Sequence, residues 1–183
     1  LASEYEVSPT PVREALHTLV AEGLVTKAGG SGYTVAQLSA ADISDVFLVA
    51  AFVAGELAAR AAVELSDEDL AELRAIHHET MALIHRNDLA RLDEKSRAFH
   101  SLVNSASESP KLRWLARITT RYIPRSLFPE IPGWTELTAQ GQTNILEALE
   151  SREPEAVRIA AAGVLTRAGE ALSADVAARS VEA

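Results

Sequence analysis

The sequence predicts a mostly α-helical protein with two parts: a small head containing a helix and a β-hairpin, and a larger all-α antiparallel bundle of about six helices. Residues 1–36 mix a short helical pattern with two strand-like runs and a cluster of glycines. From residue 40 onward, helix-start patterns recur and the links between them are short, which favours antiparallel neighbours in a bundle.

The composition is that of a globular protein in a reducing compartment. Of the 183 residues, 48% are apolar and 23% are charged, and the formal net charge is −9. The chain has no cysteine, which rules out disulfides and thiolate metal sites. Its longest apolar run, 46–54, is far shorter than the roughly 18 residues of a membrane span, and no leader pattern is present. We therefore expect a cytoplasmic protein without membrane contact.

A helix is predicted to begin at Pro9 and to end before Gly23. Ser8 is placed to act as the N-cap, and Pro9 occupies the first helical position, where its missing N–H costs nothing. Gly23 has the usual role of a helix-terminating glycine. A shorter helical segment, 2–5, precedes this helix. The apolar stripe of the main helix consists of Val12, Leu16, Leu19 and Val20.

Two short strands, 24–27 and 32–35, flank a glycine-rich turn at 28–31 and predict a β-hairpin. A helix, a turn, a second helix and a hairpin make up a winged helix-turn-helix. We therefore assign residues 1–37 to a partial winged helix-turn-helix DNA-binding domain, incomplete at its start. Residues 40–183 are assigned to an effector-binding and dimerisation bundle.

The head is poor in positive charge for a DNA-binding domain. Residues 1–40 contain two basic side chains, Arg13 and Lys27, against four glutamates, whereas phosphate neutralisation supplies much of the affinity for DNA. Because the sequence begins inside a structural element, we expect a preceding segment and dimerisation to add the missing contacts.

The predicted helix presents polar residues opposite its apolar stripe, namely Thr10, Arg13, Glu14 and His17. Arginine is the side chain best shaped to bind guanine O6 and N7 in the major groove, while Ser8 and the helix N-terminus can donate to a phosphate. On an arbitrary amphipathic helix, Arg13 would instead be a solvated residue paired with a nearby carboxylate.

The run VSPTPVREAL at 7–16, followed by Leu19 and EGLV at 22–25, resembles the GntR family of bacterial regulators over about 36 residues. The family commonly carries an arginine where this chain has Pro9, which leaves more of the base readout to Arg13. The resemblance and the exposed helix face together give these DNA-binding candidates: Ser8, Pro9, Thr10, Arg13, His17, Lys27, Gly30, Gly32 and Tyr33.

The second region contains six predicted helices. Ser39 and Ser66 open capping-box patterns with an aspartate three residues later, and Pro110 and Pro154 mark further helix starts. Residues 128–134, with two prolines and a glycine, are predicted to form a loop. The predicted helices span 40–64, 67–86, 88–106, 110–127, 136–151 and 154–178.

An all-helical region after such a head resembles the FadR-type subgroup of the GntR family, whose effector domain is called FCD. The matching phrases lie at 45–47, 56–62, 99–100 and 145–149, followed by an alanine-rich last helix. The resemblance implies a homodimer that binds a small-molecule effector inside the bundle.

Many members of that subgroup hold a divalent metal through one aspartate and three histidines, and the metal binds a carboxylate effector. Position by position, this chain retains only His100, since the other ligands fall at Ser96, Gln142 and Val164. Asp93, two turns from His100, could substitute only with a shifted geometry. We therefore predict no metal and no cofactor, and a pocket for a less acidic ligand or for none. A lone histidine of this kind is also commonly a hydrogen-bonded core residue.

The subgroup also places an arginine at the position that corresponds to Phe52. Arg121 or Arg125 could turn inward toward an anionic ligand, or could form a solvated basic face with Arg117. His77 and its neighbours are interpreted as solvated or interfacial. The candidate effector-pocket residues are Phe52, Ser96, His100, Arg121 and Gln142.

The sequence thus predicts a ligand-responsive, sequence-specific DNA-binding regulator, a repressor that binds double-stranded operator DNA as a homodimer. The alternative is a helical dimerisation or interaction module with weak or lost DNA binding, which Pro9 and the acidic head would suit. An enzyme is not expected, since the sequence contains no HExxH, GxSxG, phosphate-binding glycine loop or cysteine nucleophile.

Overall fold

The computed structural model describes residues 1–30, 32–123, 131 and 133–182, with side chains described as far as residue 179. The chain divides into two compact units, residues 1–38 and 39–183, and each is described by itself. The predicted fold class is confirmed. The described residues form a helix and a hairpin in the first unit and six helices in the second.

The first unit consists of α1 (Pro9–Ala21), β1 (Val25–Lys27) and β2 (Tyr33–Val35). Gly23 has φ +74°, a left-handed conformation that suits glycine and turns the chain out of α1. The segment predicted as helical at 2–5 is instead a single turn, closed by the Tyr5 N–H donating to the Leu1 carbonyl at 3.0 Å.

The two strands form an antiparallel hairpin in which Lys27 pairs with Tyr33. The Ala28 N–H donates to the Gly32 carbonyl at 3.0 Å, which closes the loop, and Gly30 adopts φ +86° within it. Ser31, part of the predicted turn, lies outside the described residues. The hairpin follows α1 directly and forms the wing of the unit.

The bundle helices match the prediction closely except near residues 122–134 and at the end of the last helix, which continues to Glu182 and not only to 178. The described part of the fourth predicted helix ends at Arg121, not at 127, and residues 124–130, with most of the predicted loop, lie outside the described residues. The next helix begins two residues earlier than predicted, after Gly133 at φ +77°. The helices are α2 (Ala40–Glu64), α3 (Asp67–His85), α4 (Leu89–Ala106), α5 (Pro110–Arg121), α6 (Trp134–Ser151) and α7 (Pro154–Glu182).

The predicted capping pattern at the start of α2 is a complete capping box. The Asp42 N–H donates to Ser39 Oγ at 3.1 Å, and the Ser39 N–H donates to Asp42 Oδ2 at 2.8 Å. Hydrogen bonds from the side chain and the backbone of Ser39 lower the pKa of Asp42. At α3, Ser66 Oγ accepts from the Asp69 N–H at 3.0 Å. These caps fix where both helices begin.

α2 runs through the bundle antiparallel to α7, and glycines allow the two helices to approach closely. A Cβ atom at Gly169 would lie 2.5 Å from Phe47 Cβ, and one at Gly55 would lie 3.1 Å from the Arg158 carbonyl. The core around these helices also takes side chains from α3, α4 and α6. Its fully buried members include Leu57, Leu73, Phe99, Ile145, Leu149 and Val157.

By length and composition alone, α2 could cross a membrane, with a mean hydropathy of 1.9 over its most apolar window. Within the bundle, 56% of that window is buried against other helices. A high apolar content is what a central helix needs when it contacts neighbours on several sides.

Candidate nucleic-acid interface and bundle interior

A cleft between α1 and the wing brings together most of the predicted DNA-binding residues. Its volume is about 600 Å³, and seven of the nine candidates line it. Ser8 and Thr10 are not among the lining residues and are exposed at the start of α1. The candidates that line the cleft are Pro9, Arg13, His17, Lys27, Gly30, Gly32 and Tyr33.

The cleft concentrates the positive charge of the first unit. Arg13 and Lys27, the two basic side chains of residues 1–40, both line it, and none of the four glutamates of that region does. The local charge therefore has the opposite sign to that of the unit as a whole. A locally positive, concave surface attracts an anionic polymer even when the net charge is negative.

Helix geometry and strand pairing position these side chains. Arg13 and His17 lie one turn apart on the exposed face of α1. The His17 ring meets the Tyr33 ring edge-on, with centroids 6.3 Å apart, and Tyr33 pairs with Lys27 across the hairpin. The contact between His17 and Tyr33 thus links the helix face to the wing.

The first turn of α1 offers few backbone donors for a phosphate. Ser8 is in the N-cap position with φ −67° and ψ 155°, but its side chain makes no capping hydrogen bond. Pro9 and Pro11 both lack an N–H. A phosphate at this end would therefore depend on the Ser8 and Thr10 hydroxyls more than on the helix N-terminus that the sequence suggested.

The structure describes no ion pair that involves Arg13, so a neighbouring carboxylate does not hold its guanidinium. Its side chain is exposed on the same surface as Lys27. The solvated-pair interpretation of Arg13 finds no support among the described residues. The guanidinium group of an arginine has five N–H donors in one plane. On an exposed helix face it is suited to bidentate contact with guanine or phosphate.

Inside the bundle, Gln142 on α6 is 1% exposed and forms a polar contact with α3. Its Oε1 lies 3.3 Å from His77 Nδ1, and His77 Nε2 lies 3.3 Å from Thr143 Oγ1. The tautomer with the proton on Nδ1 donates to the amide oxygen. Gln142 Nε2 then has no hydrogen-bond partner among the described residues, and such an unsatisfied buried donor is costly.

Of the two interpretations of His77 from the sequence, solvated or interfacial, the structure favours the interfacial one, because the ring lies between α3 and α6. It lies four residues after Leu73 and three before Thr80, both fully buried, so it shares the inward stripe of α3. The spacing of the histidines on α3 does not suit metal ligation, and it gives no indication of the contact that His77 makes. The apolar stripe of α3, followed through its polar members, would have indicated that His77 faces the bundle interior, but not that its partner is α6.

His100 is partly buried on α4, with its ring edge-on to Phe99 at a centroid distance of 5.6 Å. Burial lowers the pKa of His100 to about 4, because desolvation disfavours the charged imidazolium. The side chain is consequently a neutral imidazole at physiological pH. Ser96, one turn earlier, is also partly buried.

The residues at the subgroup's metal positions do not fit a metal ion. Beside His100 they supply Ser96, Gln142 and Val164. Val164 packs so closely against Gly141 that a Cβ there would lie 2.7 Å from Val164 Cγ2. The described residues contain no group of three His, Cys, Asp or Glu side chains able to hold a metal.

Two predicted pocket residues lie on the outside of the bundle. Phe52 is 67% exposed on α2, so its assignment to an interior pocket is wrong for the protomer. Its register places it on the helix face opposite the buried stripe. Arg121 is likewise exposed at the end of α5, and Arg125 lies outside the described residues. The candidates located in the interior are Gln142, His100 and Ser96.

Comparison with known proteins identifies both units. The model of the gntR family of bacterial regulatory proteins matches residues 1–35, and the FCD domain model matches residues 45–167. The chain belongs to the GntR family of bacterial regulatory proteins, in the group that carries an FCD domain. These are regulators and not enzymes, in agreement with the classification predicted from the sequence.

Curated relatives of this GntR-family chain are named as transcriptional regulators. It is 29% identical over 114 residues to the Nta operon transcriptional regulator of Aminobacter aminovorans, covering 61% of this chain and 53% of that protein. It is 38% identical over 78 residues to the HTH-type transcriptional repressor GlaR of Escherichia coli (strain K12), covering 43% and 36%. The chain thus spans about half the length, or less, of these relatives.

Solved structures share the fold at low identity. E. coli McbR/YncC superposes with a TM-score of 0.74 at 22% identity, over 95% of this chain and 84% of that one. A Streptococcus agalactiae GntR protein gives a TM-score of 0.57 at 16% identity, over 92% and 85%. At these identities the likeness establishes the fold.

Proposed function

We propose that this protein is a ligand-responsive, sequence-specific DNA-binding regulator, a repressor that acts in the cytoplasm on double-stranded operator DNA. The observation that carries the proposal is the cleft between α1 and the wing. It gathers both cations of the first unit and excludes its glutamates. Arg13 reads a guanine in the major groove, Lys27 neutralises a phosphate, and the glycines of the wing allow close approach to the backbone.

The regulator binds as a homodimer, with one cleft on each half-site of a two-fold symmetric operator. The dimer has one arrangement with high affinity for the operator and one with low affinity. A small effector in the bundle changes operator affinity only if it binds these two arrangements with different affinities. The relative GlaR is named as a transcriptional repressor, which supports the repressor assignment.

The effector site works without a metal. Its polar groups are the Gln142 amide, whose Nε2 has no partner among the described residues, and the neutral imidazole of His100. A buried amide donor favours a ligand that presents an oxygen acceptor. Without a metal or a cation among these interior groups, nothing there specifically stabilises a carboxylate, so a less acidic ligand fits better.

DNA binding is tested with DNA that the purified chain selects from a random duplex library, followed by fluorescence anisotropy. Arg13→Ala should weaken binding by roughly 10- to 100-fold, the loss of one bidentate base contact. Arg91→Ala is the matched control, because it removes an exposed arginine of α4 outside the cleft. If the selection enriches no DNA sequence, the alternative of an interaction module with weak or lost DNA binding is favoured. Equal losses of DNA affinity in Arg13→Ala and Arg91→Ala would contradict the assignment of base readout to Arg13.

The metal-free site is tested by calorimetric titration of the purified chain with zinc and with nickel. We expect no binding tighter than micromolar, because three of the four ligand positions carry Ser96, Gln142 and Val164. Sub-micromolar binding that His100→Gln abolishes would overturn the proposal.

A further inference from the structure

His17 is a titratable side chain that lines the cleft between α1 and the wing. It is exposed on α1 one turn after Arg13, and it shares the cleft with Arg13 and Lys27. It is also the one histidine in the sequence of residues 1–38. Histidine is the side chain whose charge ordinarily changes between pH 5 and 8. The number of cations that the cleft presents to DNA therefore depends on whether this ring carries a second proton.

The charged groups that share the cleft with His17 are all positive. The other titratable groups that line it are the Arg13 guanidinium on α1, the Lys27 ammonium on β1, the Tyr33 phenol on β2 and the Leu1 amino group. Glu14, three residues before His17 on α1, is exposed and does not line the cleft. Among the described residues, no carboxylate forms an ion pair with His17. A phosphate that enters the cleft is then the strongest stabiliser of the charged ring.

The position of His17 favours a contact with the DNA backbone. When a recognition helix lies in the major groove, its N-terminal residues reach the base edges, and His17 lies one turn farther along α1 than Arg13. The edge-on contact with Tyr33, with ring centroids 6.3 Å apart, holds the imidazole on the side of the wing. An imidazolium there can donate a charge-assisted hydrogen bond to a phosphate oxygen.

We propose that His17 is a proton-dependent phosphate contact, which makes the affinity of the cleft for DNA rise as the pH falls from 8 to 6. The phosphate stabilises the imidazolium and not the neutral ring, so DNA binding and proton uptake at His17 favour each other. A homodimer takes up at most one such proton in each cleft. The inference rests on the DNA binding of the proposed function and adds regulation of the same site by pH.

The test is fluorescence anisotropy of the purified chain with its selected duplex from pH 6 to pH 8 at constant salt. The wild-type affinity should rise by about tenfold or more from pH 8 to pH 6, because both clefts of the dimer take up a proton. His17→Gln keeps a hydrogen-bonding side chain that does not titrate, so its affinity should change by less than about twofold. His85→Gln is the matched control, because it removes an exposed histidine of α3, and it should keep the wild-type pH dependence.

A permanently charged side chain at the same position separates this account from a general effect of pH on folding. His17→Arg should bind the duplex at pH 8 about tenfold more tightly than the wild type does, because its charge needs no proton uptake. A gain of affinity of this kind cannot come from a folding defect. Equal affinities of His17→Arg and the wild type at pH 8 would overturn the inference.

The salt dependence tests whether the partner of His17 is a phosphate. At pH 8 the neutral ring leaves Arg13 and Lys27 to set the slope of log affinity against log salt. At pH 6 the wild-type slope should steepen by up to about 2, because each cleft neutralises one more phosphate. The slope of His17→Gln should be the same at both pH values. A wild-type slope that does not steepen would overturn the phosphate contact.

Two further results would overturn the inference as a whole. One is a wild-type affinity that is the same at pH 6 and pH 8, and the other is a rise in affinity that His17→Gln retains. Both leave the sequence selectivity of the chain at pH 8 intact. They are therefore distinguishable from a failure of the proposed function, in which the selection enriches no duplex at any pH.

Discussion

At the scale of single residues, His100 links burial to the pH dependence of stability. Its pKa falls from 6.5 to about 4 on folding because the imidazole is desolvated. The unfolded chain therefore takes up a proton as the pH drops through 6.5, while the folded chain remains unprotonated at this site until about pH 4. Its stabilising contribution is complete above pH 6.5 and is lost progressively between pH 6.5 and 4.

We expect His100→Gln to remove part of this pH dependence. Between pH 6.5 and 4 the wild-type chain should lose up to about 3 kcal/mol more of its unfolding free energy than the variant. Urea denaturation at half-unit pH steps measures the difference. His85→Gln, which removes an exposed histidine, should follow the wild-type curve. If the unfolding free energy of the His100→Gln variant falls with pH as steeply as that of the wild type, His100 is not the source of this pH dependence.

That most of the DNA-binding candidates share one surface could be predicted, because they lie close together in sequence. Arg13 and His17 follow from helical spacing, and Lys27 and Tyr33 from a hairpin with a short loop. The interior could not be predicted in this way. Whether His77 faces α6, or Phe52 faces outward, depends on how each helix is rotated against neighbours that are distant in sequence.

At the scale of helices and strands, most boundaries could be predicted from capping chemistry. Ser39, Ser66 and Pro154 mark helix starts that the structure retains, and Gly23 ends α1. The close approach of α2 and α7 could not be predicted. No sequence pattern distinguishes a helical glycine that is required for close helix packing from one that an alanine could replace. Gly169 and Gly163 therefore look alike in the sequence.

These two glycines of α7 should respond oppositely to alanine. At Gly169 the new Cβ would lie 2.5 Å from Phe47 Cβ, so Gly169→Ala should destabilise the bundle by about 1–3 kcal/mol. At Gly163 the nearest atom is the flexible end of Arg167, at 3.2 Å. Gly163→Ala should stabilise the bundle by up to ~1 kcal/mol through helix propensity. Urea midpoints of both variants test this, and a destabilised Gly163→Ala would contradict it.

At the scale of the whole molecule, the scarcity of cations in the cleft limits the salt dependence of DNA binding. A dimer presents Arg13 and Lys27 twice, four cations in all, whereas the glutamates of each first unit lie outside the cleft. Even if Arg13, in addition to its base contact, displaces a counterion as Lys27 does, the slope of log affinity against log salt should be no steeper than about −4. Anisotropy titrations at several salt concentrations measure it. A markedly steeper slope would show that cations outside the cleft bind DNA.

The central claim is that the cleft distinguishes one DNA sequence from another. The most direct measurement is the ratio of affinities for selected and scrambled duplexes, for the wild type, Arg13→Ala and Lys27→Ala. We predict a wild-type ratio of at least about 1,000. Arg13→Ala should lower the ratio by about tenfold or more, and Lys27→Ala should weaken both affinities while preserving it. A wild-type ratio near one, or a ratio unchanged by Arg13→Ala, would contradict the account.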